Sequence, residues 1–237
     1  MRYGAGVFAS LAAAAVLVCG CRPAPATRSP MVAAERQAQG EINDATLTVN
    51  RMWMEPGMPA LLRAAQGILV VPAYGRGEYF LGGQGGRGVL VLRRSPTEWS
   101  QPAFYALGGA SLGPEAGGKA GPVALILMSY DAVARFKDNS STWRLDADAG
   151  LEIVRFPNAP SAAGTDSKAD IVIWSAANAL DIGTSATAIY ITPSATLDDA
   201  YYHQLVTNRQ ILAGAIESRR TAGLREALAG GNSASYR

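Results

Sequence analysis

The chain has 237 residues, 49% of them hydrophobic and 17% charged, and glycine is abundant at 26 residues. That hydrophobic content excludes a disordered chain, and 21 basic against 19 acidic residues give a net charge of only +2, without the basic excess of a dedicated nucleic-acid binder. One histidine and two cysteines leave too few ligands for a zinc or iron–sulfur centre, so no metal or cofactor is expected.

Both cysteines close the first apolar stretch. Arg2 and the amino terminus form a short positive region, followed by an apolar run from Val7 to Val18. The run falls short of the ~20 residues of a membrane-spanning helix and suits the core of a secretory signal. Val18-Cys19-Gly20-Cys21, followed by Arg22-Pro23-Ala24-Pro25, resembles the bacterial lipobox, in which a small residue precedes a cysteine that is acylated before cleavage. Gly20 suits the position before the cut better than Val18, which makes Cys21 the expected lipidation site. Residues 1–20 are then a lipoprotein signal peptide and 21–31 a flexible, proline-containing tether. Two or three acyl chains anchor a protein stably where one does not. Arg22 stands where enteric lipoproteins retained in the inner membrane carry aspartate, which points to the outer membrane on its periplasmic side.

From Met31 to about Met54 the pattern predicts a helix, with a break at Gly40. Pro56-Gly57 predicts a turn, and Pro59 opens a short helix reaching Gln66. Ile68–Val71, Val89–Leu92 and Val123–Met128 are continuous apolar runs, as in strands buried on both sides. Trp143 to Ile153 alternates, with Asp146 and Asp148 on the polar face, and predicts one half-buried strand in which those carboxylates are solvated rather than a catalytic pair. Strands follow at Ile171–Trp174 and Ala186–Ile191. Helices are predicted from Ser129 to Lys137, from a cap at Asp198 to about Gln210, and over 216–229. The fold class is α+β: an antiparallel sheet or barrel-like core joined by Gly-rich turns, with helices mainly at the two ends. A single domain is expected over 32–216, with a short helix and frayed tail over 217–237.

Two motifs look chemical. Gly83-Gln84-Gly85-Gly86-Arg87-Gly88 matches the dinucleotide-binding glycine pattern but leads into a strand instead of a helix, so it reads as a β-turn that needs positive φ or close backbone approach. Gly109-Ala110-Ser111-Leu112-Gly113 matches the nucleophile elbow of serine hydrolases. Its base would be His203, oriented by Asp181, Asp198 or Asp199. A serine acyl hydrolase using Ser111 and His203 is therefore the enzymatic alternative, although Pro114-Glu115 opens a helix poorly and no separate oxyanion loop is evident.

In order along the chain, Ala65-Gln66-Gly67-Ile68-Leu69-Val70-Val71-Pro72, the glycines at 82–88, Trp99-Ser100-Gln101-Pro102-Ala103-Phe104-Tyr105, Gly108–Gly113, Trp174-Ser175 and Asp199-Ala200-Tyr201-Tyr202 resemble the SYLF domain, over about 65–212. That family comprises lipid-binding domains of bacterial lipoproteins and eukaryotic trafficking proteins, with actin-binding members in yeast. The resemblance implies no catalytic role for either glycine segment. It implies a non-enzymatic, membrane-anchored lipid-binding lipoprotein of the bacterial envelope, whose ligand is a lipid or another envelope component and for which actin is not an expected partner. A scaffold that binds a protein in the envelope is a further alternative. Candidate lipid contacts are Arg87, Arg93, Arg94 and Lys119, with Trp99 and Tyr105 as apolar neighbours. These cations come as pairs rather than the ~4–8 clustered basic groups typical of anionic-surface binders. Pro114-Glu115, Asp146 and Ala176-Ala177 depart from the family pattern.

Overall fold

The structure is a computed structural model that describes residues 29–76, 84–110, 121–138, 140–145, 151, 153–156, 169–176 and 188–230. Cys19, Cys21, Ser111, Pro114, Glu115, Lys119, Asp146, Asp148, Ala177 and Asp181 lie outside the described residues.

Helix α1 (Pro30–Trp53) runs without the break expected at Gly40. It buries Ala38, Ile42, Ala45, Val49 and Met52, a four-three spacing that keeps one stripe facing inward from Ala38 to Met52. Continuous burial of that stripe outweighs the ~1 kcal/mol helix penalty of one glycine. Gly57, at φ 85°, turns the chain into α2 (Met58–Ala64), whose first turn holds Pro59. No helix among the described residues is long and apolar enough to cross a membrane.

Nine described strands form one sheet: β1 (Gly67–Arg76), β2 (Gln84–Ser95), β3 (Glu98–Trp99), β4 (Ala103–Ala110), β5 (Gly121–Leu127), β6 (Trp143–Leu145), β7 (Ile153–Arg155), β8 (Ile171–Ser175) and β9 (Ala188–Pro193). Their order is β6-β9-β4-β2-β1-β5-β8-β7, with β3 paired to the end of β2. The pairings are antiparallel except for the parallel β7–β8 contact. Ile68–Val71, Val89–Val91 and Val123–Leu127 are fully buried, as their continuous apolar runs imply. Helix α3 (Tyr130–Asp138) follows β5, and the hydroxyl of Ser129, just before it, accepts from the Ala132 amide at 3.2 Å. At the C-terminal end stand α4 (Ala195–Tyr202), α5 (Asn208–Leu212), a 3-10 turn at Arg219–Thr221 and α6 (Ala222–Leu228). Helix α1 packs on α4 and α6 and lies against β1 and β2. The fold class is α+β.

Three further local expectations change. The stretch Trp143–Ile153 is not one strand: β6 pairs with β9 at one edge of the sheet and β7 with β8 at the opposite edge. Asp198 is not a helix cap; Ser194 precedes α4, and Asp198 is buried inside its first turn. Of the dinucleotide-like glycines, Gly85, Gly86 and Gly88 are not in a turn but lie within β2, and Gly83 lies outside the described residues. Between Val70 and Gly75, β1 spends one residue more than β2 does between Val89 and Gly85, which makes a bulge at Pro72-Ala73. Proline has no N–H for a ladder, so inside a sheet it belongs at such a bulge. A Cβ on Gly86 would collide with the Ala73 carbonyl oxygen, and one on Gly88 with that of Val70. Close approach, rather than positive φ, is why glycine stands at both.

Candidate functional site

Arg93 and Trp99 are cross-strand partners on β2 and β3, and the guanidinium lies over the indole with Cζ 4.2 Å from the ring centroid. Arg93 Nε donates to Ala65 O at 2.7 Å, Nη2 to Leu62 O at 2.8 Å and Nη1 to Pro96 O at 2.9 Å. Two of these acceptors are carbonyls at the end of α2, where helical partners run out. Burial lowers the Arg93 pKa from its ordinary value. Three of the five N–H groups of a guanidinium are thus committed to the fold.

Beside this residue opens a groove of about 400 Å³, lined by Trp53, Arg63, Arg93, Pro96 and Leu228–Gly230. Trp53 Nε1 donates to Ala227 O at 2.8 Å, which fixes α6 to α1 and sets one wall. The Arg63 guanidinium stands 5.6 Å from the centroid of the Trp53 ring. Gly230, at φ 81°, follows the end of α6 close to that ring. Its volume is at the low end of the ~300–1,000 Å³ of small-molecule sites, with room for a head group or similar polar ligand rather than two acyl chains. Two guanidiniums and an indole favour an anion joined to an apolar or planar group.

The remaining sequence candidates do not converge on this groove. Trp99 and Tyr105 are buried, at 1% and 0% exposure. The Tyr105 hydroxyl donates to Phe136 O at 3.1 Å, and its ring meets Phe136 edge-on. Burial raises its pKa far above the usual phenol range. Arg94 follows Arg93 on β2, so its side chain leaves the other face of the strand; it packs on Gly214 and approaches Glu98 at 3.9 Å. Arg87 is half-buried on β2, and its charge acts on Glu41 of α1, whose carboxyl is raised by burial and pulled back by that arginine. Groove residues Trp53 and Arg63 were not legible as candidates, because nothing local to either announces a partnership with α6.

Ser100 and Gln101, within the Trp99–Tyr105 segment that carries the resemblance, form with Thr221 a second polar group that was not among the candidate contacts. Ser100 Oγ accepts from the Leu92 amide at 2.9 Å and donates to Gln101 O at 2.9 Å. Gln101 Oε1 accepts from Thr221 Oγ at 2.6 Å, and Tyr202 donates to Pro102 O at 2.7 Å. The Trp99–Tyr105 segment is therefore a buried joint between the sheet and the C-terminal helices.

His203 closes α4 at φ 55°, with Nε2 3.1 Å from Glu35 Oε1. Asp198 Oδ1 accepts from the Phe104 amide at 3.0 Å, and Asp199 Oδ1 from the Val206 amide at 2.9 Å. Two of the three acids considered as orienting partners for the histidine are thus bound to main-chain amides; the third, Asp181, lies outside the described residues. Among the described residues no group of three or more histidine, cysteine, aspartate or glutamate side chains is placed to hold a metal ion.

The family described as "Ysc84: Las17-binding protein actin regulator" matches residues 108–230. "Protein YSC84" of Saccharomyces cerevisiae is 25% identical over 162 residues, 67% of this chain and 34% of the relative. "LAS seventeen-binding protein 3" of the same yeast is 26% identical over 161 residues, 67% of this chain and 35% of the relative. The chain spans about a third of the length of these curated relatives. No solved structure matches.

Proposed function

The chain belongs to the Ysc84 family, and from that premise we propose a non-enzymatic binding protein of the bacterial cell envelope, anchored through acylated Cys21 and engaging a lipid head group. The observation that carries the binding half is the Trp53–Arg63–Arg93 groove, where an indole and two guanidiniums meet open space. The anchor rests on the order of apolar run, Gly20, Cys21 and proline-containing tether. Outer-membrane residence on the periplasmic side follows from Arg22 in the same reading. The non-enzymatic part is supported by the engagement of His203 with Glu35 and of Asp198 and Asp199 with backbone amides. The test is sedimentation of the full chain with vesicles of phosphatidylglycerol and phosphatidylethanolamine against vesicles of phosphatidylcholine. Binding that requires the anionic lipid and weakens at least tenfold in Arg63→Ala supports the reading, and equal recovery with all vesicles and both proteins overturns it.

A second reading is favoured by the names of the family and of its yeast members, which describe actin regulation and binding to Las17. Those names run against the expectation that actin is not a partner, and make an actin-network protein the alternative ligand. Co-sedimentation with filamentous actin separates the two.

A further inference from the structure

We propose that the Asp198 carboxyl is held as a neutral acid that fastens helix α4 to strand β4, and that loss of its proton loosens this joint. Asp198 is fully buried. Its Oδ1 accepts the Phe104 amide at 3.0 Å, at the position where β4 leaves its ladder with β9. Its Oδ2 is buried with no hydrogen-bond partner among the described residues. A buried carboxylate served by one amide keeps most of its desolvation cost, whereas the neutral acid avoids most of it.

Among the described residues no cation acts on the Asp198 carboxyl. On α4 itself the neighbours are Asp199, which disfavours ionisation further, and the phenols of Tyr201 and Tyr202. From β4 come the Phe104 amide and the phenol of Tyr105, and from α5 comes Asn208, whose side-chain amide interacts with the Tyr105 hydroxyl. From the C-terminal segment Arg220 lies 4.4 Å over the Tyr201 ring, but its guanidinium is engaged by Glu35 of α1 at 2.8 Å and by the Tyr201 carbonyl. On the α1 side, Glu35 also meets His203. Burial, opposed only partly by the Phe104 amide, pushes the Asp198 carboxyl from 3.8 up to about 8.

The sign follows from linkage. The folded chain binds this proton more tightly than the unfolded one, so the contribution is complete below about pH 4 and is lost as pH rises to about 8. The joint is thus tightest in acid, opposite to the usual behaviour of a salt-bridged aspartate.

The test uses the full chain. Hydrogen exchange at the Phe104 amide, corrected for intrinsic base catalysis, should report an opening constant that rises by up to about tenfold per pH unit between pH 5 and 8 and then levels. Asp198→Asn keeps the Oδ1 acceptor and has no proton to lose, so its corrected opening constant should stay flat, while Asp199→Asn should keep the wild-type slope. Parallel profiles in wild type and Asp198→Asn overturn the proposal, as does a slope that disappears only in Asp199→Asn. Should Asp198→Asn not fold, the carboxyl ¹³C resonance of Asp198 in the wild-type chain decides: a midpoint above about pH 6 supports the neutral acid and one below it overturns the proposal.

Discussion

The Arg93 guanidinium rests on the face of Trp99, its partner across the β2–β3 pair, while its nitrogens hold three carbonyls at the end of α2 and in the strand turn. The pair joins helix, sheet and groove wall at one point. A lysine ammonium is compact and cannot span three divergent acceptors. Arg93→Ala should therefore lower unfolding free energy by about 2–4 kcal/mol, and Arg93→Lys should recover less than half of that. Urea unfolding of the full chain measures both.

Glycine has opposite meanings at two positions. Alanine at Gly88 would press into the Val70 backbone and stand 2.9 Å from Val71 Cα, where neither neighbour can yield without moving the bulge. Gly88→Ala should cost about 3 kcal/mol or more. Gly40 has open space around its Cβ position within α1, so Gly40→Ala should stabilise by about 0.5–1 kcal/mol. Thermal unfolding should shift down for the first and up for the second.

The Thr221–Gln101 bond is buried, at 2.6 Å, and joins residues 120 positions apart in sequence. Thr221→Val removes the donor and leaves Gln101 Oε1 without it, at a cost of about 1–3 kcal/mol. Restoration of stability by a second change, Gln101→Leu, would identify the loss as an unpaired buried acceptor, readable in a double-mutant cycle.

Cys21→Ala should abolish incorporation of a palmitate analogue in cells and release the chain from the membrane fraction. Cys19→Ala should leave labelling unchanged, because acylation needs the residue that follows Gly20.

Ser111→Ala and His203→Ala should each leave ester turnover at the level of the wild-type chain. A loss of measurable turnover in both would restore the hydrolase reading.

Much of the sheet was legible because a strand buried on both faces must be apolar at every position: Ile68–Val71 and Val123–Leu127 declare themselves without knowledge of their neighbours. The alternation from Trp143 to Ile153 misled for a related reason. Period-two patterning gives the face a residue occupies but not the strand it pairs with, and β6 and β7 go to opposite edges. For the groove, Arg93 was named from sequence as a cation, but its service to Leu62 and Ala65 carbonyls was not.

Composition, the Val7–Val18 run, the Gly20-Cys21 order and the apolar strands were fixed locally, by hydrophobicity and by residue size, and so could be read along the chain. Tertiary structure decided what each glycine and polar residue is for. Gly86 and Gly88 are glycines because a bulge in another strand brings carbonyls against them. Asp198 stands buried where Phe104, 94 positions earlier, presents its amide. Steric exclusion and desolvation act between neighbours in space, and those neighbours exist only once the sheet has closed against α1 and the C-terminal helices.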